Sequence, residues 1–285
     1  MRSVRGPGAG SILRMTSWEW DETLFAGAAV HYGLGRVPYP ADLADAVRDA
    51  LGLDGAGRLL DVGCGPGSLT VLLAPLFAEA VGVDADPGMI AEARLRAPGI
   101  RWERMRAEEL PADLGTFRVV SFAQSFHWMD RELVAERVRG MIAPGGAWVH
   151  IGATTHRGID GGGPLPHPAP PWDAVEALVA DYLGPVRRAG QGFLPEGTAW
   201  GEEEVMRRAG YAGPEVVSVG AGRVETRSED EVVAAVLSLS SSAPHLFGDR
   251  LAAFESDLRQ VLREAAPDGR FAERFRDVGI YIWRP

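Results

Sequence analysis

Leu59-Leu60-Asp61-Val62-Gly63-Cys64-Gly65-Pro66-Gly67-Ser68, with Val81-Gly82-Val83-Asp84 further along, decides how this chain is read. The apolar run Arg58 to Val62 has the composition of a buried parallel strand. The glycines allow a tight turn, and Ser68 to Leu76 resumes a helical pattern. Strand, glycine turn and helix in that order bring a nucleotide-type cofactor against the backbone. The second apolar run ends at Asp84, about 20 residues after the turn, where a carboxylate can accept two hydrogen bonds from ribose hydroxyls.

The glycine spacing then bears on which cofactor. Dinucleotide sites use G-x-G-x-x-G so that a pyrophosphate reaches the helix N-terminus. Here the glycines are Gly63, Gly65 and Gly67, and the sixth position is Ser68. Asp61, entering the turn, repels a phosphate but suits a ligand carrying an ammonium and a sulfonium, as S-adenosylmethionine does. An NAD(P)-binding oxidoreductase stays open as the alternative from a different class.

Further motifs follow in order: Val83-Asp84-Ala85-Asp86-Pro87-Gly88-Met89, Ala107-Glu108-Glu109-Leu110-Pro111, Gln124-Ser125-Phe126-His127-Trp128, and Ala143-Pro144-Gly145-Gly146 before a strand. On these residues and the glycine block, the chain resembles the class I S-adenosylmethionine-dependent methyltransferases over residues 25–152, and most the small-molecule branch. The resemblance implies an α/β fold: a doubly wound, Rossmann-like, seven-stranded and mostly parallel sheet with helices on both faces and a helical lid or insertion. Gly279 to Trp283 matches the family's antiparallel seventh strand at the sheet edge. For the cofactor, the resemblance implies that Gly63, Gly65 and Gly67 contact the methionine portion and Asp61 anchors its amino group, often through water. It places Asp84 on the ribose, Met89 on adenine, and Ala107 with Glu108 beside the adenine amine. Arg36 matches a basic position near the cofactor carboxylate, although Gly35 and Val37 stand where the family has an aromatic and a proline. Cys64, Ala85 and Gln124 complete the implied cofactor set.

His127 leaves the fourth strand beside the expected methyl group and is the best-placed general base, since imidazole titrates near neutrality. The competing reading has His127 and Trp128 holding the loop by packing. Trp18, Tyr32, Trp128 and His245 are expected around the substrate, and His31, His150, His156 and His167 at surface or packing positions. A small thiol packed under the cofactor is the expectation for Cys64. No His, Cys, Asp and Glu spacing suits a metal, and none is expected.

Along the chain, residues 1–17 read as a disordered leader and 18–285 as one domain. Its cofactor-binding core covers 25–152, with variable substrate or lid regions at about 153–212 and 226–275. Pro40 opens a helix ended by Gly52, Asp86 caps the next with Pro87 behind it, and Asp130 caps another. Strands are expected at Ile100 to Met105, Phe117 to Ala123, Ala147 to Ile151 and Glu215 to Val219, and helices near 172–183, 201–209, 229–239 and 248–265. The Gly- and Pro-rich stretch from Asp160 to Trp172 reads as a mobile surface loop.

With 46% hydrophobic and 24% charged residues, the 285-residue chain has the composition of a globular protein with a sizeable core. A formal charge of -10 opposes a nucleic-acid substrate, because phosphate binding needs a cationic footprint. All 29 basic residues are arginine. No apolar run approaches the ~20 residues that span a bilayer, so no membrane partner is expected and the cytoplasm is the expected location. A single Cys64 agrees with a reducing compartment. The function expected is in-line transfer of a methyl group from S-adenosylmethionine to an O, N or C nucleophile of a small, partly apolar metabolite. A protein that keeps the fold and cofactor without methyl transfer is the second reading.

Overall fold

The computed structural model describes residues 21–193 and 201–285, so Trp18, Trp20, Trp200 and the leader lie outside the described residues. The chain enters with α1 (Ala29–Gly35) and α2 (Leu43–Leu51). Leu43, Val47 and Leu51 put one buried stripe along α2, and Gly52 closes it in the left-handed conformation at φ 57°. Next come β1 (Arg58–Val62), α3 (Ser68–Leu73), β2 (Glu79–Asp84), α4 (Pro87–Arg96) and β3 (Arg101–Arg104). The Asp86 carboxylate accepts from the Met89 backbone N–H at 2.9 Å, the expected cap of α4. β4 (Phe117–Ala123), α5 (Arg131–Arg139) and β5 (Ile142–Gly152) finish the alternating part, and Asp130 caps α5 through the Leu133 N–H.

Beyond them lie α6 (Trp172–Leu183), the short pair β6 (Arg188–Ala189) and β7 (Gly192–Phe193), α7 (Glu202–Arg208), and β8 (Ala212–Val219). β9 (Val224–Ser228), α8 (Glu229–Leu237), α9 (Leu251–Ala265), β10 (Arg270–Arg274) and β11 (Val278–Arg284) complete the described chain.

Among the described residues the main sheet runs β3-β2-β1-β4-β5-β11-β8. The first five strands are parallel to their neighbours, and β11 is antiparallel to both β5 and β8. This corrects the expected place of the last strand. β11 is interior, with Ile280 opposite Ile151 on one side and Val217 on the other, and β8 forms the edge. Burial explains the order, since Ile280 and Ile282 are closed from solvent whereas β8 alternates exposed and half-buried residues. β5 also begins at Ile142 rather than Ala147, because the Pro144-Gly145-Gly146 turn is absorbed as an irregularity in its pairing with β4.

Both faces of the sheet are covered. One carries Phe122 stacked on Trp148 at 3.9 Å, with Phe126 from the turn after β4, Val134 from α5 and Met206 from α7 packed around them. The other packs Leu43, Val47, Leu69 and Leu73 from α2 and α3. A third apolar cluster joins α6, α8 and α9 through Val175, Val236, Phe254 and Phe271. That cluster lies in the regions read as helical lid, yet it includes β10, which pairs with β9 from Arg270↔Ser228 to Arg274↔Val224. Arg227 and Glu273 form a buried ion pair at 3.0 Å within this β ribbon. The Arg227 guanidinium also donates to the carbonyls of Gly35, His156 and Glu231, while Glu273 accepts from the Gly158 N–H and the Trp172 indole. One satisfied pair therefore joins the cap to α1 and to the exit of β5.

Candidate active site

The carboxyl ends of β1, β2 and β4 meet at two adjoining cavities that share Tyr32, Gly63, Gly65, Ala123 and Gln124. Asp84, Ala85, Met89, Ala107, Glu108 and Trp128 line the first. The second, about 450 Å³, runs from the glycine turn past Arg36, Tyr39, Cys64 and Thr155.

Each glycine of the turn answers a different constraint. All three have positive φ, which L side chains resist. A Cβ on Gly63 would lie 2.4 Å from the Ser125 Cβ, because the segment leaving β4 crosses over it and the Ser125 hydroxyl donates to the Val62 carbonyl at 2.7 Å. A Cβ on Gly65 would meet nothing within 4 Å, so the bare backbone here faces open space beside Asp84. Gly67 leaves room for packing: its Cβ would strike the Trp102 ring at 2.4 Å, and it lines neither cavity although Pro66 and Ser68 beside it line the second. It is glycine for packing, behind the wall.

The Asp84 carboxylate accepts from the Gly65 N–H at 2.8 Å and the Asp86 N–H at 2.9 Å, which fixes it at the cavity wall. Burial pushes its pKa up to about 6, against the pull of those two donors. Asp61 is 1% exposed and lines neither cavity, so its carboxylate stands behind the glycine turn. Its carboxylate accepts from the Thr70 hydroxyl at 2.6 Å and the Ser121 hydroxyl at 2.8 Å, locking the turn to α3 and β4. Burial raises it as well, to about 6. Thr70 and Ser121 escape the sequence reading, although a serine inside the otherwise apolar β4 is a signal that a buried polar partner awaits it.

Cys64 packs with Ile90, Ala93 and Trp102, and burial followed by the charges of Asp84 and Asp61 holds its thiol well above the usual range. That is the environment of an inert filler and not of a nucleophile. Met89 is 3% exposed with its side chain against the first cavity. Glu108 spends its carboxylate on the Asp130 N–H at 2.9 Å and on Arg106, leaving the Ala107–Glu108 backbone to border the cavity. The Arg36 guanidinium donates to the Ser238 hydroxyl at 2.8 Å and carbonyl at 3.0 Å and lies 4.4 Å from the Tyr32 ring centroid. Two hydrogen bonds and a ring thus aim it at the second cavity.

Gln124 is exposed at the end of β4 with φ 55°, a left-handed conformation that costs a non-glycine residue about 1–3 kcal/mol. The strain places it on both cavities above and on a third of about 630 Å³ that also takes His127, His150, Glu202 and Tyr281. His127 borders this third cavity together with Gln124, and not the one holding Asp84. Burial lowers its imidazole to about 4, helped by His150, Arg187 and Arg131, so it is neutral at physiological pH. His150, expected at the surface or in packing, is 8% exposed with Nδ1 3.1 Å from Glu202. His245 lines none of the cavities described here, and its Nδ1 pairs with the Ala26 carbonyl at 3.0 Å. Tyr32 and Trp128 do reach the first cavity, where Phe25 meets Trp128 edge to face at 6.1 Å.

A cavity with bare glycine backbone, a buried acid at the end of the second strand, a thioether and an aromatic pair fits an adenosyl group, and Arg36 beyond it fits a carboxylate. Among the described residues no helix is long and apolar enough to cross a membrane.

Residues 59–146 match the family described as a methyltransferase domain. An uncharacterized methyltransferase of Mycobacterium bovis is 35% identical over 133 residues, covering 46% of this chain and 53% of that protein. A trans-aconitate 2-methyltransferase of Methylobacterium nodulans is 38% identical over 96 residues, covering 31% of this chain and 35% of that one. The chain thus spans about half the length, or less, of these curated relatives. A putative type II methyltransferase from Anaeromyxobacter dehalogenans has a solved structure with TM-score 0.49 and 20% identity, covering 87% of this chain and 95% of that one.

Proposed function

Residues 59–146 belong to the class I S-adenosylmethionine-dependent methyltransferase family, and on that premise we propose that this chain methylates an O, N or C nucleophile of a small, partly apolar molecule in the cytoplasm. When bound, S-adenosylmethionine would supply an electrophilic methyl carbon: the acceptor's electron pair bonds to it in line as the carbon–sulfonium bond breaks, S-adenosylhomocysteine leaves as a neutral thioether, and the acceptor's proton passes to solvent or a nearby base. The chain's own part is to bind, orient and exclude water. In this reading Asp84 takes the ribose hydroxyls, Met89 and the Ala107–Glu108 backbone hold adenine, and Arg36 meets the methionyl carboxylate. Asp61 acts from behind the wall by fixing the turn through Thr70 and Ser121. Gln124 lines both cofactor cavities and the His127 cavity, which supports a role for it between donor and acceptor in this reading. His127, neutral at physiological pH, is in the protonation state of a proton acceptor but is a weak one.

The observation that carries the proposal is the Asp84 carboxylate, pinned by Gly65 and Asp86 at the wall beside bare glycine backbone. Calorimetric titration with S-adenosylhomocysteine and, in parallel, NADH tests it. Asp84→Ala is expected to weaken S-adenosylhomocysteine binding roughly 100-fold, the worth of two charge-assisted hydrogen bonds. Unchanged affinity, or binding of NADH alone, would overturn the assignment.

A further inference from the structure

Building on the methyltransferase reading, we propose that the acceptor carries a carboxylate, held by Arg187 at the mouth of the cap, with an apolar body lying against α6 and α8. Arg187 sits between α6 and β6, on a cavity of about 530 Å³ that it shares with His156, Ser241 and Ser242. Val179, Leu183 and Val236 supply an apolar wall of the same cavity.

The charge distribution shows what is missing from this cavity. Arg36, Arg157, Arg187 and Arg227 all act on the His156 imidazole, which burial lowers first and these charges lower further. Two of the four are neutralised by protein: Arg157 pairs with Glu176 and Arg227 with Glu273. Arg36 bonds only neutral groups of Ser238 and faces the cofactor cavity, where the methionyl carboxylate answers it. Arg187 is exposed and, among the described residues, has neither a hydrogen bond nor a carboxylate partner. Arg187 thus presents on the cavity wall a positive charge that no protein carboxylate among the described residues matches, and that charge is felt by the half-buried imidazoles of His127 and His156.

The Arg187 cavity lies next to the cofactor site, since His156 on its wall follows Thr155, which lines the second cofactor cavity. The Arg187 charge also reaches His127, and His127 shares a cavity with Gln124, which borders the cofactor cavity. A carboxylate on Arg187 thus anchors one end of the acceptor while the rest extends toward Gln124. The guanidinium fork matches both carboxylate oxygens, which a lysine or a neutral amide does less well.

Octanoate and octanamide, equal in length and differing in charge, are the probes, titrated into protein saturated with S-adenosylhomocysteine. The wild type is expected to bind octanoate at least about tenfold more tightly than octanamide, Arg187→Gln to lose that preference, and Arg187→Lys to recover part of it. S-adenosylhomocysteine affinity should be the same in all three proteins. Equal binding of the two probes by the wild type, or a preference that survives in Arg187→Gln, overturns the inference while leaving the methyltransferase reading intact. Failure of the wild type to bind S-adenosylhomocysteine overturns both.

Discussion

The two sides of the cleft carry opposite charge and are built on different length scales. On the glycine-turn side the buried ionisable groups are Asp61 and Asp84, held by partners close in sequence: Thr70 nine positions on, and Gly65 nineteen back. On the cap side the half-buried Arg36 and the buried Arg227 take the partners Ser238 and Gly35, 202 and 192 positions away, and Arg227 is neutralised by Glu273, so Arg36 carries the positive charge that faces the cleft. The acidic side suits a ligand with a sulfonium and an ammonium, and the basic side suits carboxylates. Local closure makes the first a self-contained turn, whereas the second exists only once β9 and β10 have paired and the cap has docked.

The sharpest way to break that contrast is to cut the pair on which the cap depends. Glu273→Ala leaves Arg227 charged, 3% exposed and short of its counter-ion, which costs about 3–5 kcal/mol. Urea unfolding should show a loss of that size. Glu203→Ala, which breaks an exposed i,i+4 pair with Arg207, should cost less than about 0.5 kcal/mol. Equal effects would mean that the Arg227–Glu273 pair is not what holds the two halves together.

The same difference in length scale explains what the sequence disclosed. Gly63, Asp84, Met89 and the Asp86 cap were legible because each obeys a rule written within a few residues: a glycine turn, an acid ending a strand, a residue before proline opening a helix. Even there, the reason behind each residue was not legible. The spacing does not disclose that Gly67 also clears Trp102, which arrives from β3, or that Asp61 is tied to Ser121. Nothing in periodicity or spacing pairs Arg227 with Glu273, since their register depends on a ribbon whose strands are separated by α8 and α9. The last strand went to the wrong position for a related reason. Its apolar run announces burial, but whether burial comes from one neighbouring strand or two depends on where β8 lands.

A second, smaller effect sharpens the acidic side. Asp84 sits near 6 in the empty site, above its ordinary value, so burial favours the neutral acid. Its contribution to the stability of the unliganded fold is therefore fully present below pH ~3.8 and is lost as pH rises through about 6. Ligand binding has the opposite preference, because the carboxylate is the better acceptor for two hydroxyls. S-adenosylhomocysteine affinity is expected to be flat above pH 7 and to fall by up to about tenfold per pH unit below 6. Calorimetry at pH 5, 6 and 7 reads this directly. In Asp84→Asn the affinity should be weaker but independent of pH, and a slope that persists there would transfer the titration to Asp61, which burial also raises to about 6.

The smallest effect is expected at His127, between the two sides. An imidazole lowered to about 4 is neutral across physiological pH, so kcat/KM should not rise through pH 6.5 as it would for an ordinary histidine base. Its low basicity also limits the help it gives in removing a proton. His127→Asn, which keeps a polar side chain of similar size, is expected to lower kcat by less than about tenfold, with S-adenosylhomocysteine affinity unchanged, because His127 borders the neighbouring cavity rather than the one holding Asp84. A loss of a hundredfold or more in kcat alone, with a pH profile that shifts in the variant, would make His127 the base despite its burial. A loss in cofactor affinity instead would mean that the loop from Gln124 to Trp128 serves the donor side, and that the boundary between the two halves lies beyond His127.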